Sequence, residues 1–188
     1  LDMTHDLYID LNGWYFCADV TANGYTIYGK DSVTDTFDSE EWCGMLVPGA
    51  TVVAQNGYVA YDWGQDLWSF HHYELKLIAV SLKPGQDALG YKAQFFGDEA
   101  ACDMVTGFGF EMGVAGGNSG TFQKAGSLTN GQIFSLRLQG IMAANGGEME
   151  INAVAFVTFD GAGQIKSDAH STTMRQTVEY INDNWSDF

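Results

Sequence analysis

The chain has 188 residues and carries 24 Asp and Glu side chains against only 8 Lys and Arg, which gives a formal net charge of −16. So few cations cannot line a track for phosphate groups, and this excludes nucleic acid and anionic membrane surfaces as expected partners. With 46% hydrophobic residues, the chain is long enough to bury the core of a single domain spanning residues 1–188.

Three cysteines, Cys17, Cys43 and Cys102, are odd in number and widely spaced, and they indicate free thiols rather than a disulfide framework or a zinc site. Unpaired cysteines favour a soluble, cytoplasmic protein, although the first residue is not Met and a removed N-terminal segment is compatible with the sequence. No apolar run approaches the ~20 residues of a membrane span. We expect no membrane span, no metal and no bound cofactor.

The first part of the chain, residues 1–30, allows two interpretations. Short strands around Leu7, Trp14 and Tyr25 are consistent with its β-branched and aromatic content, with a turn at residues 22–24. The same residues also fit a poor helix with β-branched interruptions. This segment is therefore either an N-terminal extension or the first elements of the fold.

Two short helices are predicted in the next segment, on either side of a strand. Asp38 and Glu41 have capping-box spacing, which predicts a helix over residues 38–45. Residues 50–54 are rich in β-branched side chains, which is typical of a strand. Residues 62–70 read as a second short helix with an apolar side.

The central segment, residues 71–97, predicts a β-hairpin. Pro84 and Gly85 suit the two central positions of a tight turn, because Pro presets φ and Gly tolerates positive φ. The two arms carry polar side chains that a purely structural strand does not need, namely His71, His72, Tyr91, Lys92 and Gln94.

The last third of the chain predicts further strands and a final helix. Residues 98–120 are rich in Gly and are predicted to form a surface turn or a mobile flap. Residues 132–143 and 148–159 read as two long strands joined by an Asn-Gly-Gly turn, and residues 164–170 as a last strand. Apolar residues at helical spacing predict a C-terminal helix over residues 171–188, capped by Ser171 and Thr172.

Three segments in this order resemble one superfamily. They are DTFDSEEWCGMLVPGATVV, HHYELKLIAVSLKPGQDALGYKAQFF and AVAFVTFDGAGQIKSD. They are similar to parts of the SnoaL-like polyketide cyclases, scytalone dehydratase and ketosteroid isomerase. That resemblance implies an α+β fold, a cone-shaped barrel in which a curved, mostly antiparallel sheet wraps around helices. The alternative is an all-β calycin-like barrel, if residues 7–28 form a hairpin rather than a helix.

The resemblance also implies site residues. The ketosteroid isomerase base and oxyanion-hole acid fall at Ala54 and Ala155, which move no proton, so steroid isomerisation is not expected. Scytalone dehydratase fits better, because its pocket histidine and asparagine fall at His72 and Asn152, and its helix aspartate falls at Asp38. Its second histidine is replaced by Lys92, and its tyrosines by Phe37 and Ala54.

The first functional hypothesis is a lyase, isomerase or cyclase that acts on a small molecule by proton transfer in an apolar pocket. His72 is the expected base or acid and Asp38 its orienting partner, because a carboxylate can hold a neutral imidazole in position. Asn152 and Lys92 are expected to stabilise a developing oxyanion. The pocket is expected to be lined by Phe37, Tyr91, Trp68, Tyr58 and Arg137.

Each of these residues also has a structural interpretation. Asp38 can be only an N-cap, and His72 can cap a helix end. Lys92 can extend into solvent, and Asn152 can be a satisfied core amide. Arg137 can pair with surface acids.

The second hypothesis is a non-catalytic barrel that binds an apolar or aromatic small ligand against its tryptophans and tyrosines. The resemblance also leads us to expect a homodimer.

Overall fold

The computed structural model describes residues 1–33, 44–82, 88–139 and 150–173. Within these ranges the chain forms fourteen strands and one helix of five residues. Several predicted features lie outside the described residues: Asp38, Phe37, the turn at Pro84 and Gly85, the turn at residues 145–147, and residues 174–188.

The strands, in chain order, are β1 Leu7–Asp10, β2 Tyr15–Cys17, β3 Thr26–Lys30, β4 Gly44–Leu46, β5 Thr51–Ala54, β6 Tyr58–Asp62, β7 Leu67–Leu82, β8 Ala88–Gly97, β9 Val105–Val114, β10 Ser119–Ala125, β11 Ile133–Gln139, β12 Glu150–Phe159, β13 Gly163–Lys166 and β14 His170–Thr173. The helix, α1, covers Glu99–Asp103. Asp98 caps it, because its carboxylate accepts a hydrogen bond from the backbone N–H of Ala101.

The predicted α+β class is wrong. Regular structure in the described ranges is nearly all β, and the strands form three sheets that do not close into a barrel there. The all-β calycin-like alternative agrees with this strand content, but the described strands do not form the closed barrel that it requires. It also required residues 7–28 to form a hairpin, whereas β1 and β3 pair in parallel.

The chain folds into two compact units. The first unit comprises Leu1–Glu74, Gly97–Met104 and Phe159–Gly163, and the second comprises the remaining described residues. Each unit has buried side chains of its own.

Parallel pairing of short strands builds the first unit. β1 pairs with β3, with Leu7 opposite Ile27, and β3 pairs in the same way with β5. β2 pairs in parallel with β4, and an isolated parallel bridge joins Asp2 to Thr21. Successive stretches of chain therefore return beside one another, as in a β-helix. We call this parallel-stranded region, residues 1–33 and 44–54, the coil, in the sense of the winding of a β-helix and not of irregular backbone.

Alternation along the strands directs one set of side chains into the coil. Ile27 is fully buried, whereas Tyr28 beside it points to the opposite face of the sheet. The buried set is Met3, Leu11, Ile27, Met45, Val47 and Phe70. Since Met45 belongs to β4, the helix predicted over residues 38–45 does not extend to its predicted end.

The helix predicted over residues 62–70 is wrong, because this segment contains the end of β6, a tight turn and the start of β7. The two strands pair antiparallel, with Tyr61 opposite Ser69. The turn is closed by the N–H of Leu67, which donates to the carbonyl of Gly64 at 3.2 Å. Sheet pairing therefore outweighs the weak helical pattern of a few apolar residues.

The second unit contains antiparallel strands. β9 lies between β10 and β12, β12 also pairs with β14, and β8 pairs with β11. The strands predicted over residues 132–143 and 148–159 are confirmed as β11 and β12 in the described ranges, although they belong to different sheets. The rings of Phe108 and Phe110 lie 5.0 and 5.3 Å from that of Phe134.

The flap predicted over residues 98–120 is wrong for most of its length, since it contains α1, β9 and the start of β10. The glycines of β9 permit close packing. A Cβ atom on Gly109 would overlap the backbone carbonyl of Phe122 on the paired strand and lie 2.9 Å from the ring of Phe156. Glycine is therefore needed at this position because a neighbouring backbone approaches closely. Composition alone does not distinguish such a strand glycine from a glycine in a flexible loop.

The start of the predicted C-terminal helix is also wrong. Ser171 and Thr172, predicted as its cap, lie in β14 opposite Asn152 and Ile151 of β12. The Ser171 hydroxyl donates to the Glu150 carboxylate, so it is used between strands and not at a helix end.

Candidate functional site

The residues predicted to form an internal pocket are distributed over both units. His72 belongs to the first unit, and Lys92, Asn152 and Arg137 belong to the second. All four side chains are exposed. Because Asp38 lies outside the described residues, the convergence of these groups on one cavity stays a prediction.

His72 has a structural environment that is well defined. Its ring packs edge-on against Tyr58, another predicted pocket residue, with 5.4 Å between ring centroids. Its backbone N–H donates to Asp98 Oδ2 at 3.2 Å. Its neighbour His71 faces the opposite side of β7, as alternation requires.

Two other predicted pocket residues bury a polar atom. Tyr91 is fully buried in the second unit, and its hydroxyl has no hydrogen-bond partner among the described residues. Burial raises the pKa of this phenol. In the first unit, the indole nitrogen of Trp68 is likewise buried without a partner in the part of the chain that the structure describes. Tyr91 is therefore a core side chain, and Trp68 is a half-buried side chain that packs against the core of the first unit.

An aromatic row lies on the outside of the coil. Tyr8 of β1, Tyr28 of β3 and Val53 of β5 are register partners on adjacent strands, and all three point away from the buried set. The rings of Tyr8 and Tyr28 stack, with centroids 4.9 Å apart and planes 12° apart. Tyr8 is 72% exposed and Val53 is 43% exposed. Large side chains so exposed in one row are typical of a recognition surface.

Polar side chains flank this row on both sides. Thr26 and Thr51 are register partners on one side. On the other side, Lys30 Nζ lies 3.1 Å from Asp10 Oδ2. Although burial opposes ionisation, the backbone N–H of Ser32 and the Lys30 ammonium lower the pKa of Asp10.

We call these side chains the outer face: Tyr8, Asp10, Thr26, Tyr28, Lys30, Thr51 and Val53. It presents aromatic and aliphatic surface with hydroxyl, ammonium and carboxylate groups at its borders. The Asp10–Lys30 pair leaves it without a net charge.

A second cluster lies in the first unit, on the side of β7 opposite Phe70. Ser69 and His71 are two residues apart on β7 and therefore share a face. Ser69 Oγ lies 2.8 Å from His71 Nε2, and His71 Nδ1 lies 3.4 Å from Asp98 Oδ2. We call these three residues the Ser–His–Asp cluster.

The hydrogen-bond directions in this cluster follow from its donors. Trp63 Nε1–H donates to Ser69 Oγ at 2.9 Å, so the serine hydroxyl hydrogen is directed to His71 Nε2. His71 then carries its own hydrogen on Nδ1, toward Asp98. This tautomer is assigned from the network.

Asp98 is held as a carboxylate. Burial raises its pKa, but the hydrogen bond from His71, the backbone N–H groups of Ala101 and His72, and the positive charge that His71 carries when it is protonated outweigh burial and lower it. The carboxylate therefore joins β7 to the start of α1.

The turn that carries Trp63 is strained. Gln65 and Asp66 have φ of 56° and 62°, in the left-handed region that favours glycine. Trp63 itself is 53% exposed, and its ring packs edge-on against Tyr61 at 4.7 Å. Strain next to a polar cluster is a feature found at many functional sites.

Sequence reasoning missed this cluster for two reasons. Reading residues 62–70 as a helix placed Ser69 and His71 on different elements, whereas a strand reading would have put them on one face. Asp98 lies far along the chain, and no local motif connects it to the other two residues.

In the described ranges, no group of three or more His, Cys, Asp or Glu side chains is placed to share a metal ion. None of the helical structure described is long and apolar enough to cross a bilayer.

Comparison with protein-family models, curated proteins and solved structures finds no match for this chain. The resemblance to the SnoaL-like superfamily is thus neither supported nor refuted by these comparisons, while the cone-shaped barrel that it implied is absent from the described residues.

Proposed function

We propose that the first unit is a binding module whose outer face holds a neutral saccharide chain. The observation that carries this proposal is the stacking of Tyr8, which is exposed, on Tyr28, which is half-buried, on the outside of a regular sheet. Tyrosine offers rigid apolar surface at a low cost in conformational entropy, together with a hydroxyl that bonds to a polar ligand.

The composition of the outer face supports a saccharide over other ligands. A sugar ring has C–H faces that pack on aromatic side chains and hydroxyl groups that exchange hydrogen bonds with carboxylate, ammonium and threonine groups. Thr26, Thr51, Asp10 and Lys30 supply such groups beside the aromatic row. Since register partners recur at ~4.8 Å across the strands, the row suits an extended ligand.

The charge of the chain supports a neutral ligand. A formal net charge of −16 opposes the approach of polyanions such as nucleic acids and acidic polysaccharides. The one cation on the outer face, Lys30, is paired with Asp10.

Like the second function predicted from the sequence, this proposal is non-catalytic binding, but it concerns a saccharide on the surface of a sheet and not an apolar small ligand inside a barrel. The lyase, isomerase or cyclase was predicted for an apolar pocket inside an α+β barrel, and the β-rich fold with open sheets conflicts with that barrel. Binding outside a sheet needs no enclosed cavity.

Isothermal titration calorimetry against neutral glucan, xylan and mannan oligosaccharides tests the proposal. We expect at least one to bind, and Tyr8→Ala to weaken it roughly 3- to 10-fold, the loss of one aromatic contact. Tyr25→Ala is the matched control, because Tyr25 is 38% exposed but lies in the turn before β3. Absence of binding to every neutral oligosaccharide, or equal losses in both variants, would overturn the proposal.

A further inference from the structure

The geometry of the Ser–His–Asp cluster points to a second, chemical activity. We propose that Ser69 is a nucleophile that accepts a small acyl group from an ester. This goes beyond saccharide binding and depends on different residues of the first unit.

The order of groups is the one that nucleophilic catalysis by serine requires. The nucleophile is Ser69 Oγ, its base is His71 Nε2 at 2.8 Å, and the carboxylate of Asp98 faces His71 Nδ1 at 3.4 Å. The low pKa of Asp98 keeps it charged at neutral pH, where it orients the imidazole and stabilises its protonated form.

Acyl transfer to Ser69 and hydrolysis of the acyl-serine need no co-reactant other than water. As Oγ bonds to the carbonyl carbon, its proton moves to His71 Nε2. The ester C–O bond then breaks, and His71 returns the proton to the leaving alcohol. Water, deprotonated by the same nitrogen, then attacks the acyl carbon. The bond from this carbon to Oγ breaks, His71 returns the proton to Oγ, and a carboxylic acid leaves.

Trp63 supplies a donor for the developing oxyanion. Its Nε1–H now lies 2.9 Å from Ser69 Oγ. When Oγ is bonded to the carbonyl carbon, the oxyanion is the nearest new acceptor, and a small movement of the indole transfers the hydrogen bond to it.

Access to the cluster limits the substrate to a small acyl group. Ser69 is only 5% exposed, whereas Trp63, which bonds to it, is 53% exposed. The acyl group must therefore enter beside the indole, and the strained turn at Gln65 and Asp66 is where the backbone positions that indole. Acetyl esters fit this restriction best.

A purely structural role would use the same hydrogen bonds, so the test must detect a covalent adduct. The folded full-length chain is treated with a small alkyl fluorophosphonate, in which Oγ displaces fluoride from phosphorus. Intact-mass and peptide mass spectrometry then locate the product. We expect one adduct, on Ser69. This measurement needs no variant, and an unmodified chain or an adduct on another residue would overturn the proposal.

Hydrolysis of p-nitrophenyl acetate provides the second readout. We expect Ser69→Ala to abolish the protein-dependent rate and His71→Gln to lower it at least ~100-fold. Ser135→Ala and His170→Gln, which change an exposed serine and an exposed histidine of the second unit, should leave the rate unchanged. Circular dichroism checks that each variant is folded. A folded Ser69→Ala protein with the wild-type rate would contradict the proposal.

Discussion

The ring of Phe70 occupies the space into which a side chain on Gly29 would project, so that a Cβ atom there would overlap the ring itself. Phe70 belongs to the buried set of the coil, and Gly29 lies inward on β3 between Ile9 and Ala54. We expect Gly29→Ala to lower the free energy of unfolding by about 1–3 kcal/mol through overpacking. Urea denaturation measures this change.

A double-mutant cycle separates overpacking from strand propensity. Phe70→Leu removes ring atoms, so Gly29→Ala should cost less in that background than in the wild-type chain. Gly113→Ala is the control, because a Cβ atom at this strand position meets only Ser119 Cβ at 3.7 Å. Equal costs in both backgrounds would show that Phe70 is not the obstacle.

Tyr91→Phe is expected to raise the free energy of unfolding by about 1 kcal/mol, or to leave it unchanged. The hydroxyl of Tyr91 is buried with no partner among the described residues, and removing an unsatisfied polar group removes its desolvation penalty. Thermal unfolding of Tyr91→Phe measures the effect, with Tyr25→Phe as an exposed control. A loss above ~1 kcal/mol would indicate that the hydroxyl is bonded in solution.

The stability contributed by Asp98 is expected to disappear in acid. The pKa of its carboxyl is lowered in the folded chain, so its contribution is fully present above the unfolded value of ~3.9 and is lost as pH falls through the lower folded pKa. The difference in unfolding free energy between wild type and Asp98→Asn should therefore shrink from pH 5 to pH 2.5. Denaturant titrations at each pH measure it, and a difference that grows on acidification would refute the assignment.

Gln65→Gly is expected to raise the free energy of unfolding by roughly 0.5–1 kcal/mol. The left-handed conformation costs an L-residue ~1–2 kcal/mol, and glycine removes this cost but loses more conformational entropy on folding, which offsets part of the gain. Gln65 has φ of 56°. Gln65→Ala keeps the conformational penalty and should give no gain. Thermal unfolding of the two variants decides the matter, and equal midpoints would mean that the turn is not strained.

The sequence was most informative about which segments form strands. Both arms predicted for residues 71–97 are strands in the described ranges, and β-branched density correctly located β5. Alternating side chains report which face a residue occupies. They do not report which strand lies beside it, and for that reason the parallel partners of β1 and β3 could not be read from the pattern.

The candidate sites were hidden for a related reason. Tyr8 and Tyr28 become one row only through the parallel register of β1 with β3. Ser69, His71 and Asp98 meet through a turn that was predicted as a helix and through a cap at the start of α1. His72, chosen by family resemblance, is the neighbour of the histidine that bonds to Ser69.

The first unit draws its residues from three separate stretches of the chain, and this decides how the protein can be divided. A fragment ending at Glu74 would keep the coil and the outer face, but it would lack Asp98 and also Phe159, whose ring lies 5.5 Å from that of Tyr73. No single cut separates the two units, so a shorter version that contains the first unit alone requires linkers that replace residues 75–96 and 105–158, and not a truncation.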